Sequence, residues 1–217
     1  MIFGHGVTGD KDRPLIVALA EGLSARGWPS LRISFSGNGE SEGRFEDSTI
    51  TKEVADLQSV LETVPDFVRV AYVGHSMGSA VGVMTAAKDV RIHLLVSLAG
   101  MAYTKDFVER EFGDVTPGAG FMWDDEDCPL SEAFVKDLTS IGNVLPLAEK
   151  VSQPWLFVHG TADDVVPVKD GRDAHAAAVC QKQWREIEGA EHMFSPSQYP
   201  EIIDAVDDWL TACFGKA

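Results

Sequence analysis

A serine between two glycines marks the point where an apolar run gives way to a helical pattern. The stretch is VRVAYVGHSMGSAVGVMTAAK, and its joint reads Gly74-His75-Ser76-Met77-Gly78. G-x-S-x-G in a strand-to-helix context is the turn that lifts a nucleophilic hydroxyl out at the carboxyl end of a sheet. The serine on such a turn takes a strained backbone conformation. Side chains two residues before and after it would collide with the neighbouring strand and helix, which explains the glycines. The start of the following helix also aims free N–H groups at the site, where they suit a developing oxyanion.

A serine hydroxyl needs a base, and the base needs an orienting acid. The segment WLFVHGTADDVVPV offers Asp163 just beyond a strand, and REIEGAEHMF offers His192 in the loop after the last one. The order Ser76, Asp163, His192 is the one this arrangement requires. Asp164 is the rival acid, and the H-G-x-x-D-x-x-V-P pattern favours Asp163. His5, His75, His93, His159 and His175 are weaker candidates for the base; His5 and His159 sit beside glycines at strand ends, where local hydrogen bonds are the ordinary role. The tight turn His5-Gly6-Val7-Thr8-Gly9 can present a backbone N–H toward the serine. The N–H groups of Val7 and Met77 are therefore the expected oxyanion donors.

These residues require a frame that brings remote loops to one edge. Strands are expected at Met1–Gly4, Ser30–Phe35, Val68–Val73, Ile92–Leu98, Pro154–His159 and Gln183–Ile187. Helices are expected at Pro14–Arg26, Ile50–Val64, Met77–Lys88, Val168–Val179 and Pro200–Phe214, with Pro14 placed for a first turn and Gly27 for a stop. This alternation implies an α/β fold with a mainly parallel sheet of about six strands, in one domain over 1–217. One segment departs from it. Between Ala102 and Val151 no strand is legible; Asp106–Phe112 and Glu132–Leu138 look helical around the tract GDVTPGAGFMWDDEDCP. A connection this long in a compact domain is usually functional, often a lid. A disordered surface insertion is the competing assignment. Phe121, Met122 and Trp123 argue against it, because three large apolar side chains in a row need somewhere to pack. Met101, Phe121 and Trp123 are the candidate acyl pocket, with ordinary core packing the competing assignment for each. Trp155 and Trp209 are assigned to the core and the last helix.

Composition narrows the function classes. A net charge of −16 and a pI near 4.6 disfavour nucleic acid and anionic membranes. The three cysteines are scattered and odd in number, so they cannot form a complete disulfide framework. No stretch reaches the ~18 apolar residues of a membrane span, and no signal peptide is visible, so a cytoplasmic location is the default expectation. No H-E-x-x-H or other convincing zinc spacing occurs. The tract SGNGESEG imitates a dinucleotide fingerprint, but Glu42 stands where the third glycine should be and no helix follows directly. A turn beside the site is the better reading.

Taken together, H-G-x-x-G at His5–Gly9, G-N-G-x-S-x-G at Gly37–Gly43, G-H-S-M-G at Gly74–Gly78, H-G-x-x-D at His159–Asp163 and G-A-E-H at Gly189–His192 resemble the α/β-hydrolase superfamily over almost the whole chain. GRFEDSTITKEVADL, FVKDLTSIG and GAEHMFS look like its cinnamoyl/feruloyl-esterase-like carboxylesterase branch. The resemblance implies a triad of Ser76, Asp163 and His192, oxyanion donors Val7 and Met77, and a small inserted lid over 102–151. It implies a carboxylesterase acting on small-molecule esters with no metal or organic cofactor. The chain opens at the oxyanion-loop strand, without the two leading strands common in the superfamily. Met77 replaces a frequent glutamine of that branch, and the inserted segment is shorter; both leave aromatic-acyl specificity open. An amidase, thioesterase, aminopeptidase or perhydrolase would share the triad, and a non-catalytic binding protein of the same fold is the remaining class. The expected partners are a small-molecule ester and, as the candidate assembly, a second copy in a homodimer.

Overall fold

The computed structural model describes residues 1–215; the final two residues of the domain assigned over 1–217 lie outside the described residues. Six strands form one sheet: β1 (Ile2–Gly4), β2 (Leu31–Arg32), β3 (Val70–His75), β4 (Ile92–Leu98), β5 (Trp155–Gly160) and β6 (Lys182–Ile187). Their order is β2-β1-β3-β4-β5-β6, and every pairing is parallel. The order reverses between β1 and β3. An open parallel sheet opens a crevice at such a point, outside the carboxyl ends of its strands. Gly4 of β1 lies in register with Gly74 of β3, so the loops that leave these strands emerge side by side.

The strands are buried on both faces, as parallel strands under helices must be. Ala71 and Val73 face one layer, Val70 and Tyr72 the other. The first layer is closed by α1 (Pro14–Ser24) and α8 (Tyr199–Phe214), whose Leu15, Leu19, Leu23, Val206 and Leu210 are fully or almost fully buried. The second is closed by α2 (Ile50–Thr63), α3 (Met77–Ala86) and α7 (Val168–Ala177). Helix starts follow from capping: Pro14 occupies the first turn of α1, and Thr49 Oγ1 accepts the Lys52 N–H at 3.1 Å at the head of α2. Gly27, with φ +93°, takes the chain out of α1.

Residues 102–151 carry α4 (Thr104–Phe112), α5 (Glu132–Ile141) and the short α6 (Leu145–Ala148), with a single turn of 3₁₀ helix at Met122–Asp124. α6 escapes prediction because one turn is too short to show a period. Two strands also differ: β3, expected over Val68–Val73, runs Val70–His75, and β2, expected over Ser30–Phe35, is paired only at Leu31–Arg32. β2 is an edge strand. Beyond it the chain bends away, with the Ser36 N–H and Oγ bound to Asp56 at 2.8 and 2.9 Å.

The roots of the 102–151 segment are tied to the body. The buried Asp170 carboxylate of α7 accepts the N–H groups of Ala102 at 2.9 Å and Tyr103 at 3.0 Å. The Val144 N–H returns to the Ala102 carbonyl at 2.9 Å.

Candidate active site

β3 ends at His75 and α3 begins at Met77, so Ser76 alone makes the joint. Its φ of +54° and ψ of −121° lie where non-glycine residues carry a cost of about 1–3 kcal/mol. The surroundings over-determine it. The Ser76 N–H donates to Leu98 O at 2.9 Å, the Met101 N–H donates to Ser76 O at 3.2 Å, and Ser79 Oγ donates to Gly74 O at 2.7 Å. A Cβ on Gly74 would lie 2.4 Å from Gly78 O. A Cβ on Gly78 would lie 2.5 Å from His5 O and 2.8 Å from Gly4 O, both backbone of the neighbouring strand end. The same holds for Gly6, whose Cβ would sit 2.7 Å from Ser76 Cβ.

The loops after β5 and β6 bring the other two residues to the same edge. His192 Nε2 lies 3.0 Å from Ser76 Oγ, and His192 Nδ1 lies 2.9 and 3.1 Å from the Asp163 oxygens. A carboxylate only accepts, so Nδ1 carries the proton and Nε2 presents a lone pair to the serine hydroxyl. The Asp163 side chain is wholly buried, and Oδ1 accepts the N–H groups of Val165 at 3.0 Å and Val166 at 2.8 Å. Burial opposes its ionisation. Hydrogen bonds from His159 and His192, the charge of His192 and the Val166 N–H outweigh it and hold the carboxyl well below the usual range. The rival Asp164 is exposed and makes no bond to His192.

The remaining histidines near the site have other partners. His5 Nδ1 donates to Gly6 O at 2.9 Å while Nε2 accepts the Phe35 N–H at 3.1 Å. Burial lowers its pKa to about 4. His159 Nε2 donates to Val166 O at 2.9 Å and lies 3.3 Å from Asp163 Oδ2. His75 Nε2 donates to the backbone carbonyl of His192 at 3.0 Å, and the two rings lie 4.9 Å apart. Burial, then the neighbouring His192 charge, lowers the His75 pKa to about 3, so it stays a neutral donor. That clamp joins the elbow to the loop that carries His192. Its one sequence signal is a histidine adjacent to Ser76.

Ser76 and His192 open onto a cleft of about 330 Å³ lined by Gly6, Val7, Thr8, Gly9, Arg13, His75, Trp123, Val165 and Met193. Among the described residues, neither the Val7 nor the Met77 N–H donates to any acceptor. Met77 is the first residue of α3, where N–H groups have no intrahelical partner. Of the expected pocket residues, Trp123 reaches this cleft and the other two do not. Met101 is buried in the core under the elbow, against a separate void of about 10 Å³. Phe121 is 39% exposed and pairs with Pro129 in an isolated β-bridge. The backbone is left-handed at Trp123 (φ +50°) and Asp124 (φ +60°), and the tryptophan ring packs edge-on against Phe112 at 4.9 Å. Val165 and Met193 escaped the sequence reading although each is a near neighbour of a triad candidate.

Behind Val7 and Met77 lies a second small cavity, about 10 Å³, walled also by Asn38, Ser48, Glu53, Met122 and Phe134. Glu53 is buried there, with Oε1 accepting Ser48 Oγ at 3.2 Å and Oε2 without a partner among the described residues. Burial drives its pKa well above the usual carboxylate range. The decoy glycines Gly37, Gly39 and Gly43 all have positive φ and form a turn, closed by the Gly37 N–H on Glu42 O at 2.9 Å. Among the described residues no cluster of three or more His, Cys, Asp or Glu could hold a metal, the cysteines are free, and no helix is long and apolar enough to cross a membrane.

Comparison with known proteins bears on this geometry. The chain is 26% identical over 196 residues to an uncharacterized protein of Mycobacterium tuberculosis and 26% identical over 167 residues to the human mitochondrial palmitoyl-protein thioesterase ABHD10. Those alignments cover 89% and 70% of this chain, which spans only 61% and 52% of the length of these relatives. Among solved structures, Est1E from Butyrivibrio proteoclasticus with ferulic acid bound is similar at TM-score 0.84 and 24% identity, covering 99% of this chain and 89% of Est1E. The monoacylglycerol lipase of Paleococcus ferrophilus is similar at TM-score 0.80 and 19% identity, covering 97% and 93%. Residues 1–205 match the sequence pattern of the alpha/beta hydrolase family, and the chain belongs to that family.

Proposed function

We propose that the protein is a serine hydrolase of carboxylic esters working through an acyl-enzyme. One observation carries the reading: an unbroken chain of contacts from Asp163 through His192 to Ser76 Oγ, at 2.9 and 3.0 Å, on the floor of an open cleft. His192 Nε2 takes the hydroxyl proton as Ser76 Oγ attacks the ester carbonyl carbon. Asp163 orients the ring and stabilises its charged form. The free N–H groups of Val7 and Met77 receive the developing oxyanion; one such donor is worth about 2.7–4 kcal/mol of transition-state stabilisation. The carbonyl carbon–oxygen bond to the alcohol breaks, and the alcohol leaves with the proton from His192. Water, deprotonated by His192, then adds to the acyl group and releases the acid and Ser76. The 102–151 segment serves as a cap whose Trp123 forms one wall of the cleft.

Thioesters are the second reading, favoured by the similarity to a palmitoyl-protein thioesterase. The same chemistry applies, with a thiol as leaving group. The test is hydrolysis of p-nitrophenyl acetate, butyrate and octanoate, methyl ferulate and an acyl thioester by wild type and Ser76→Ala, with fluorophosphonate labelling alongside. Turnover abolished in the variant, with the label on Ser76, supports the proposal, and the ranking of substrates reads the pocket. Equal inactivity of both proteins without labelling overturns it and leaves a binding protein.

A further inference from the structure

One side chain of the cleft has no role in the chemistry above. Arg13 is half-buried at the head of α1 and lines the same cleft as Ser76 and His192. Its Nη2 donates to Thr8 O at 2.7 Å and lies 3.3 Å from Thr8 Oγ1. Those bonds steady Thr8, whose φ is +55°. They engage only one of the nitrogens. A guanidinium carries five N–H donors, and here the donors on Nε and Nη1 have no protein acceptor among the described residues. No carboxylate pairs with it either, in a chain with 34 acidic and 18 basic side chains. Lys11 and Arg32 close by are both paired with Asp12.

The rest of the cleft makes that unpaired cation informative. Val7, Trp123, Val165 and Met193 supply apolar walls, and Arg13 is the one permanently charged group among the lining residues. An arginine fork matches a carboxylate in two parallel hydrogen bonds, and water-excluding walls strengthen the attraction. A single guanidinium balances the single charge of a carboxylate, whereas a phosphate monoester brings nearly two. We infer that Arg13 is a specificity residue, and that the preferred substrates are esters carrying a free carboxylate: half-esters of dicarboxylic acids or esters of carboxylate-bearing alcohols. The inference rests on the esterase reading of Ser76.

Two matched pairs of substrates test it. On the acyl side, mono-p-nitrophenyl adipate is compared with p-nitrophenyl hexanoate. On the alcohol side, 4-acetoxybenzoate is compared with 4-methylphenyl acetate. The quantity read is the ratio of kcat/KM, charged over neutral. In wild type at low salt it should exceed one by about 10- to 100-fold in one pair, the scale of a charge-assisted hydrogen bond, and should shrink with added salt. Arg13→Gln should collapse that ratio, chiefly through KM, and Arg13→Lys should restore part of it. A ratio at or below one in both pairs overturns the inference, as does a Gln variant that slows both members alike, since Arg13 then only holds Thr8. The salt dependence needs no variant and stands if Arg13→Gln fails to fold. If no ester of any kind is turned over, the esterase reading fails separately. Adipate binding by calorimetry, lost in Arg13→Gln or absent from wild type, then decides for or against the anion site.

Discussion

The elbow at Ser76 and the 102–151 segment above it form facing parts of one cleft, yet they are built by opposite means. At the elbow, backbone meets backbone: Gly74 and Gly78 have no room for a Cβ, Gly6 abuts the Ser76 side chain, and the Ser76 N–H and C=O are both engaged. The segment is held by side chains. Phe107, Phe112, Trp123 and Phe134 form a chain of edge-on ring contacts, and Asp170 anchors its root. Its outer face remains wet, with Trp123 45% exposed and bonded through Nε1 to Glu111 at 3.1 Å. Reacting atoms need placement within a fraction of an ångström, which tight backbone packing supplies. A substrate wall tolerates variation, and side-chain packing can be altered without disturbing the sheet.

Substitutions can break this comparison, beginning at its strongest point. Asp163→Asn should lower kcat by about 10⁴-fold, because the amide cannot hold the required tautomer of His192; steady-state kinetics with unchanged urea denaturation would show that the chemistry, not the fold, was lost. Alanine at Gly78 should cost more than about 3 kcal/mol in urea unfolding, since its Cβ would meet the Gly4 and His5 backbone, which cannot yield. Alanine at Gly118 of the segment, where φ is +80° and the nearest atom lies 3.9 Å away, should cost only the left-handed penalty of about 1–2 kcal/mol. Equal costs would erase the distinction between the regions.

Asp170→Ala should destabilise by about 2–3 kcal/mol by leaving the Ala102 and Tyr103 N–H groups without their acceptor. Limited proteolysis should then cut first within 102–151. Glu53→Gln should act in the opposite direction. The folded-state pKa of Glu53 is raised, so the folded protein holds this proton more tightly than the unfolded chain does. Stability is therefore lost as pH climbs from about 4.5 toward the folded-state value, at up to about 1.4 kcal/mol per pH unit. The glutamine variant should match wild type near pH 4 and exceed it at neutral pH in paired urea titrations. A constant gap across pH would show that Glu53 is not buried as a neutral acid.

Much of the frame was legible from residue order alone. Strand and helix periods, Pro14, Gly27 and the glycine pair at the elbow act over a few residues, and turn chemistry there admits few solutions. That is why Ser76, Asp163 and His192 could be named before any geometry, and why the strands differ from expectation mainly at the edge strand β2. Contacts between segments remote in sequence were decided only by the tertiary structure. Trp123 lines the cleft, whereas Met101 is buried against a separate void and Phe121 pairs with Pro129. His75 clamps the carbonyl of His192 across a separation of 117 residues. Arg13 bonds Thr8 through Nη2 alone, while the neighbouring Asp12 pairs with Lys11 and Arg32. Local periodicity and turn preference carry no information about which distant surfaces meet; burial and packing of the whole chain set that.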